Sequence, residues 1–84
     1  MRNQTDSVDP CLVVARNLKA LRKARELTQE QLAEKAELHV NYVGGIERGE
    51  RNATIRNIKK LAKALGVPMS VLVDESATAP SAQP

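Results

Sequence analysis

The sequence predicts an all-α domain of five helices with no strand. Three observations carry that expectation. Apolar residues recur at intervals of three and four through most of the chain, the period of a helix packed along one face. Residues that cap helix starts stand just ahead of those apolar runs. Glycines stand where the runs end.

Asp9 followed by Pro10 is an N-cap and first-turn pair, and Val14, Leu18, Leu21 and Arg25 then fall at helical spacing, so helix 1 covers roughly 10–25. Thr28 opens helix 2, and Gln31, three residues on, completes a capping box. Leu32, Ala33 and Ala36 form its inner face. Glu37-Leu38-His39 is a turn. His39 or Val40 starts helix 3, with Val43 and Ile46 inward and Gly49 as the stop. Thr54 caps helix 4, where Ile55, Ile58, Leu61, Ala62 and Leu65 are expected to make one inward stripe, and Gly66 ends it. Pro68 to Val73 makes a short apolar helix 5.

Eighty-four residues bound the chain to one domain. Residues 1–11 read as a polar arm running into helix 1, residues 12–73 as the domain, with helices 2 and 3 forming a motif over about 29–48, and residues 74–84 as a flexible Ala/Ser/Pro/Gln-rich tail. With one Tyr and neither Phe nor Trp, the core is built from small aliphatic residues, and a domain of this size is marginal without a staple. A single cysteine, Cys11, offers no internal disulfide, and no Cys/His cluster suggests zinc. Self-association is the remaining staple. No run reaches the roughly 18 apolar residues of a membrane span, and the polar start lacks the apolar core of a signal peptide, so a cytoplasmic location is expected.

The net charge of +3 is unevenly spread. Twelve of the thirteen basic residues but only six of the ten acidic ones lie within 12–73, so that segment carries +6. A basic domain of this kind suits a polyanionic partner. Lys59, Lys60 and Lys63 fall on the outer face of helix 4 and read mainly as solubilising, with a minor part in steering.

Helix 2, a turn of about three residues and helix 3 have the spacing of a helix-turn-helix. The segments LTQEQLAEKAEL, YVGGIERGERN and IKKLAKALGV, taken together, resemble the Cro/Xre-type phage-repressor family, and within it small stand-alone regulators such as restriction–modification controller proteins. The resemblance covers roughly 14–73 without a large gap. It implies a compact, five-helix, phage-repressor-like fold that binds operator DNA as a homodimer. One departure is Glu37, where the family's turn usually carries glycine. A left-handed residue there would cost roughly 1 kcal/mol or more.

On this resemblance helix 3 is the recognition helix, entering the major groove with its first residues on the base edges. Val40 and Asn41 are the expected base contacts: the Asn41 amide can pair with adenine, and Val40 can meet a thymine methyl. Gly44 and Gly45 lie one turn further on, where bare backbone allows either close approach to DNA or close packing on a neighbouring element. Tyr42 is read as a phosphate donor with a partly packed ring, and His39 as a capping or phosphate-facing residue. Gln29 matches the family position that touches phosphate from a helix N-terminus, and Arg48, Arg51 and Asn52 flank the groove as backbone contacts. The resemblance also implies a structural ion pair between Arg22 and Glu47.

For the dimer interface the sequence offers Leu65, Val67, Met69, Val71 and Leu72, because a helix as short as helix 5 leaves some of its apolar surface outside the domain. The expected function is a sequence-specific transcriptional regulator on a palindromic double-stranded DNA operator. The alternative is a protein-interaction module of the same fold, an antitoxin or bridging factor, whose sign would be a longer structured extension than the short polar tail here. No paired carboxylates and no Ser/His/Asp or Cys/His arrangement point to an enzyme, and no cofactor, metal, small-molecule ligand or membrane is expected.

Overall fold

A computed structural model describes residues 9–76. The expected arm over 1–8 and tail over 77–84 lie outside the described residues. Five helices and no strand are found among the described residues: α1 (Pro10–Ala24), α2 (Gln29–Ala36), α3 (Val40–Glu47), α4 (Ile55–Leu65) and α5 (Met69–Leu72).

Side chains close four of the five N-termini. The Asp9 carboxylate accepts from the Cys11 amide, Thr28 Oγ1 from Gln31 and Thr54 Oγ1 from Asn57. At α3 the cap is His39, whose Nδ1 accepts from the Asn41 amide at 3.0 Å. Gln31 Oε1 accepts from the Thr28 amide, so the capping box is reciprocal.

The C-termini of α1 to α4 share one device. A residue in the left-handed conformation follows each helix: Glu26, Glu37, Gly49 and Gly66, with φ of 57°, 59°, 76° and 73°. Its amide donates to the carbonyl three residues back, at Lys23, Glu34, Ile46 and Lys63, and the next amide donates five residues back, to Arg22, Ala33, Gly45 and Ala62. This is the Schellman arrangement, which satisfies the last carbonyls of a helix. Two of the four are built on glutamate and therefore carry steric strain that the glycines do not.

The core joins Leu18 of α1, Leu32, Ala33 and Ala36 of α2, Val43 and Ile46 of α3, Ile58, Leu61, Ala62 and Leu65 of α4, and Leu72 of α5. The stripe expected on α4 holds except at its first member. Ile55 is 71% exposed. It stands in the first turn, above a groove of about 320 Å³ lined by Pro10, Cys11, Val14, Ile58 and Val73 among others. The helical period sets the direction in which Ile55 points, but among the described residues that direction is left largely open.

Two polar ties complete the packing. Asn17 is buried in α1, and its Nδ2 donates to the carbonyls of Leu72 and Asp74 at 2.9 and 3.0 Å, holding the end of α5. Arg25 Nε donates to the Leu65 carbonyl at 2.6 Å, placing a cation at the C-terminal end of α4.

Candidate nucleic-acid interface

The geometry of α3 follows from three donors that converge on one carboxylate. Arg22 of α1 gives Nε to Glu47 Oε2 at 2.7 Å and Nη2 to Oε1 at 3.0 Å. Gln29, the first residue of α2, gives Nε2 to the same Oε1 at 3.0 Å. Arg22 Nη1 also donates to the Leu27 carbonyl, so one guanidinium ties α1, the α1–α2 turn and the end of α3 together. The Glu47 side chain is 2% exposed and that of Arg22 12%. The fork of bonds to the carboxylate holds the Arg22 pKa above its ordinary value, despite some opposing burial. No buried side-chain nitrogen or oxygen lacks a partner among the described residues.

With its end bolted in this way, α3 presents its first turn outward. Asn41 is exposed, and its amide group makes no side-chain bond within the described contacts. Val40 beside it is half-buried and packs in part against the core. His39 is exposed but committed to its cap.

Gly44 and Gly45 are buried beneath side chains of their own chain. A Cβ on Gly44 would lie 3.1 Å from Arg48 Nη1 and 3.4 Å from Gln29 Oε1. On Gly45 it would lie 2.6 Å from Arg51 Cγ, closer than real side chains come. The Arg48 guanidinium and Gln29 thus lie against Gly44, and the Arg51 stem lies against Gly45. The arginines themselves remain exposed: Arg48 pairs with Glu50 at the surface, and the Arg51 guanidinium lies 5.8 Å from the centre of the Tyr42 ring, a cation–π contact.

Tyr42 is half-buried, and its hydroxyl is used within the chain. It donates its one hydrogen to the Asn52 carbonyl and accepts from Asn57 Nδ2, both at 3.0 Å. A hydroxyl has a single hydrogen, so in this structure Tyr42 offers none to phosphate and orders the segment after α3 instead. Asn52 is held a second time, its Oδ1 accepting from the Cys11 thiol at 2.7 Å. Gln29 is likewise drawn onto Glu47.

The residues expected at a dimer interface divide. Leu65 and Leu72 are buried in the chain's own core, Leu72 completely. Val67, Met69 and Val71 are half-buried. The large apolar exposures among the described residues are Ile55 at 71%, Leu12 at 50% and Val73 at 49%, and Ile55 and Val73 line the same groove. The sequence pointed to no role for Asn17 or Asn57, and placed Arg25 only on the helical period of helix 1. Asn17 did carry a signal, a polar residue next to Leu18 on the inward side of helix 1.

A model of the helix-turn-helix family matches residues 18–72. The immunity repressor protein of Bacillus phage phi105 is 44% identical over 64 residues, which make up 76% of this chain and 44% of that protein. The chain thus spans less than half of the repressor's length. The control protein C.SmaI of Serratia marcescens is 43% identical over 61 residues, 73% of each chain. Among solved structures, the restriction-modification controller protein C.AhdI of Aeromonas hydrophila superposes with a TM-score of 0.72 and 44% identity over 74% of this chain and 94% of that one. C.Esp1396I bound to a 19 base pair DNA duplex superposes with a TM-score of 0.71 and 35% identity, over 77% of this chain and 87% of that one.

Proposed function

The chain belongs to the Cro/Xre-type helix-turn-helix family, and from that membership we propose that it is a cytoplasmic, sequence-specific transcriptional regulator that binds a palindromic operator in double-stranded DNA as a homodimer. The observation that carries this reading is the state of α3. Its inner side chains are buried, its first turn offers the exposed Asn41, and its C-cap and the segment that follows carry the exposed Arg48 and Arg51. A helix so presented can enter the major groove with Asn41 on a base edge and the arginines on flanking phosphates. Val40 adds an apolar edge for a thymine methyl. The +6 charge of residues 12–73 favours approach to the polyanion.

The dimer draws support from the surface left outside the monomer's core. Ile55 and Val73, which line one groove, together with the half-buried Val67, Met69 and Val71, offer apolar area that a two-fold mate can cover. Leu65 and Leu72 belong to the core of the monomer itself. Two recognition helices about 34–36 Å apart would then meet successive turns of one face of the duplex.

Gel-shift titration against salt tests the reading. Arg48 and Arg51 from two subunits place four cations on the phosphates, so log affinity is expected to fall with log salt at a slope of about −4 or steeper. A slope near zero would overturn it.

A further inference from the structure

We infer that Asn57 of α4, acting through Tyr42, and the bare backbone of Gly45, acting on Arg51 directly, are positioning residues for DNA binding that hold Arg51 ready beside the recognition helix. The inference rests on the DNA-binding reading above. Four contacts meet in one place. Asn57 Nδ2 donates to the Tyr42 hydroxyl. That hydroxyl donates to the Asn52 carbonyl, fixing the backbone next to Arg51. The Tyr42 ring receives the Arg51 guanidinium at 5.8 Å. Gly45 leaves the space in which the Arg51 stem lies, since a Cβ there would come within 2.6 Å of Arg51 Cγ.

The order of donors matters. Tyr42 can give its only hydrogen to Asn52 because Asn57 approaches as a donor and leaves that hydrogen free. Without Asn57 the hydroxyl loses the bond that orients it, and its grip on the Asn52 carbonyl is less firmly aimed. An arginine already laid along the helix and over a ring gives up less side-chain freedom when it meets a phosphate or a base. α4 thereby influences a contact made by the segment after α3, although Asn57 itself is half-buried.

The test uses the full chain and a duplex recovered from a randomised pool by selection on the wild type. Asn57→Ala and Gly45→Ala are each expected to weaken binding about two- to tenfold, the worth of one modest hydrogen bond. In an Arg51→Ala background, both are expected to change affinity no further, because the residue they act through is gone. Gly45→Ala carries an additional signature. Alanine suits a helix interior better than glycine, which offsets the cost of turning the exposed Arg51 side chain away from Cγ outward, so the melting temperature changes little while affinity falls. A purely structural role would move both downward together. The inference is overturned if either variant binds like the wild type, or if its defect persists undiminished without Arg51. Failure to select any duplex on the wild type would overturn the DNA-binding reading itself, and this inference with it. A wild type that binds beside normally binding variants would overturn the inference alone.

Discussion

Arg22 and Glu47, 25 positions apart, form a two-pronged pair with bonds of 2.7 and 3.0 Å, and Glu47 is almost wholly buried at the end of α3. The pair sets the pitch of α3 against α1. It also explains a carboxylate so close to a surface expected to meet phosphate: its charge is spent inside the protein.

Arg22→Ala is therefore expected to destabilise the chain by about 3–5 kcal/mol, because it strands a buried charge. Gln29 supplies a single neutral donor and does not replace the fork. Arg22→Lys keeps the charge but cannot form two parallel bonds, and an intermediate loss follows. Denaturant unfolding measures both. Equal stability of all three chains would mean that the pair does not form in solution.

The left-handed glutamates offer a test of opposite sign. Glu37→Gly relieves the strain at the turn between α2 and α3, with an expected gain of about 1 kcal/mol. Glu26→Gly acts the same way at the end of α1. Both side chains are exposed, so nothing else of consequence is lost. A lower unfolding midpoint in either variant would contradict the conformation seen here.

Asn41→Ala is expected to cost roughly 1–3 kcal/mol at the base it meets and to relax preference at one symmetric pair of operator positions. Arg48→Ala is expected to weaken all sequences alike, as a phosphate contact does. Competition among single-base operator variants separates the two. Uniform weakening by Asn41→Ala would assign its amide to the backbone.

Ile55→Lys tests the proposed dimer surface without touching the core. It is expected to yield folded monomers whose operator affinity falls sharply, since one half-site must then hold alone. Leu72→Ala is a contrasting change, expected to cost about 2–5 kcal/mol of folding stability as a cavity in the monomer. Sedimentation and thermal melting distinguish them. If Ile55→Lys sediments as a dimer, the interface lies elsewhere.

Much of the fold was legible along the chain because its signals are local. Asp9, Thr28 and Thr54 cap helices from immediately before them, and Gly49 and Gly66 take the left-handed conformation directly after them. Such rules act over four or five residues, so they survive without knowledge of the partner. That Asn41 stands in the first turn of α3 was legible for the same reason, once the spacing of α2 and α3 set where α3 begins.

Relationships between elements were decided only in three dimensions. Ile55 belongs by period with Ile58, yet it lies over an open groove, because periodicity gives a side chain a direction and not a neighbour. Leu72 and Val73 are adjacent and both aliphatic, but one is sealed in the core and the other half open. Tyr42 offered a hydroxyl to any acceptor, and whether that acceptor lay in DNA or at Asn52 depended on where the chain went ten residues later. The sequence by itself determined where helices begin and end and which faces are apolar, since those follow from short-range backbone bonding and side-chain period. The tertiary structure decided which polar groups are already spent and which remain free to bind, since that depends on distances between residues that no local rule relates.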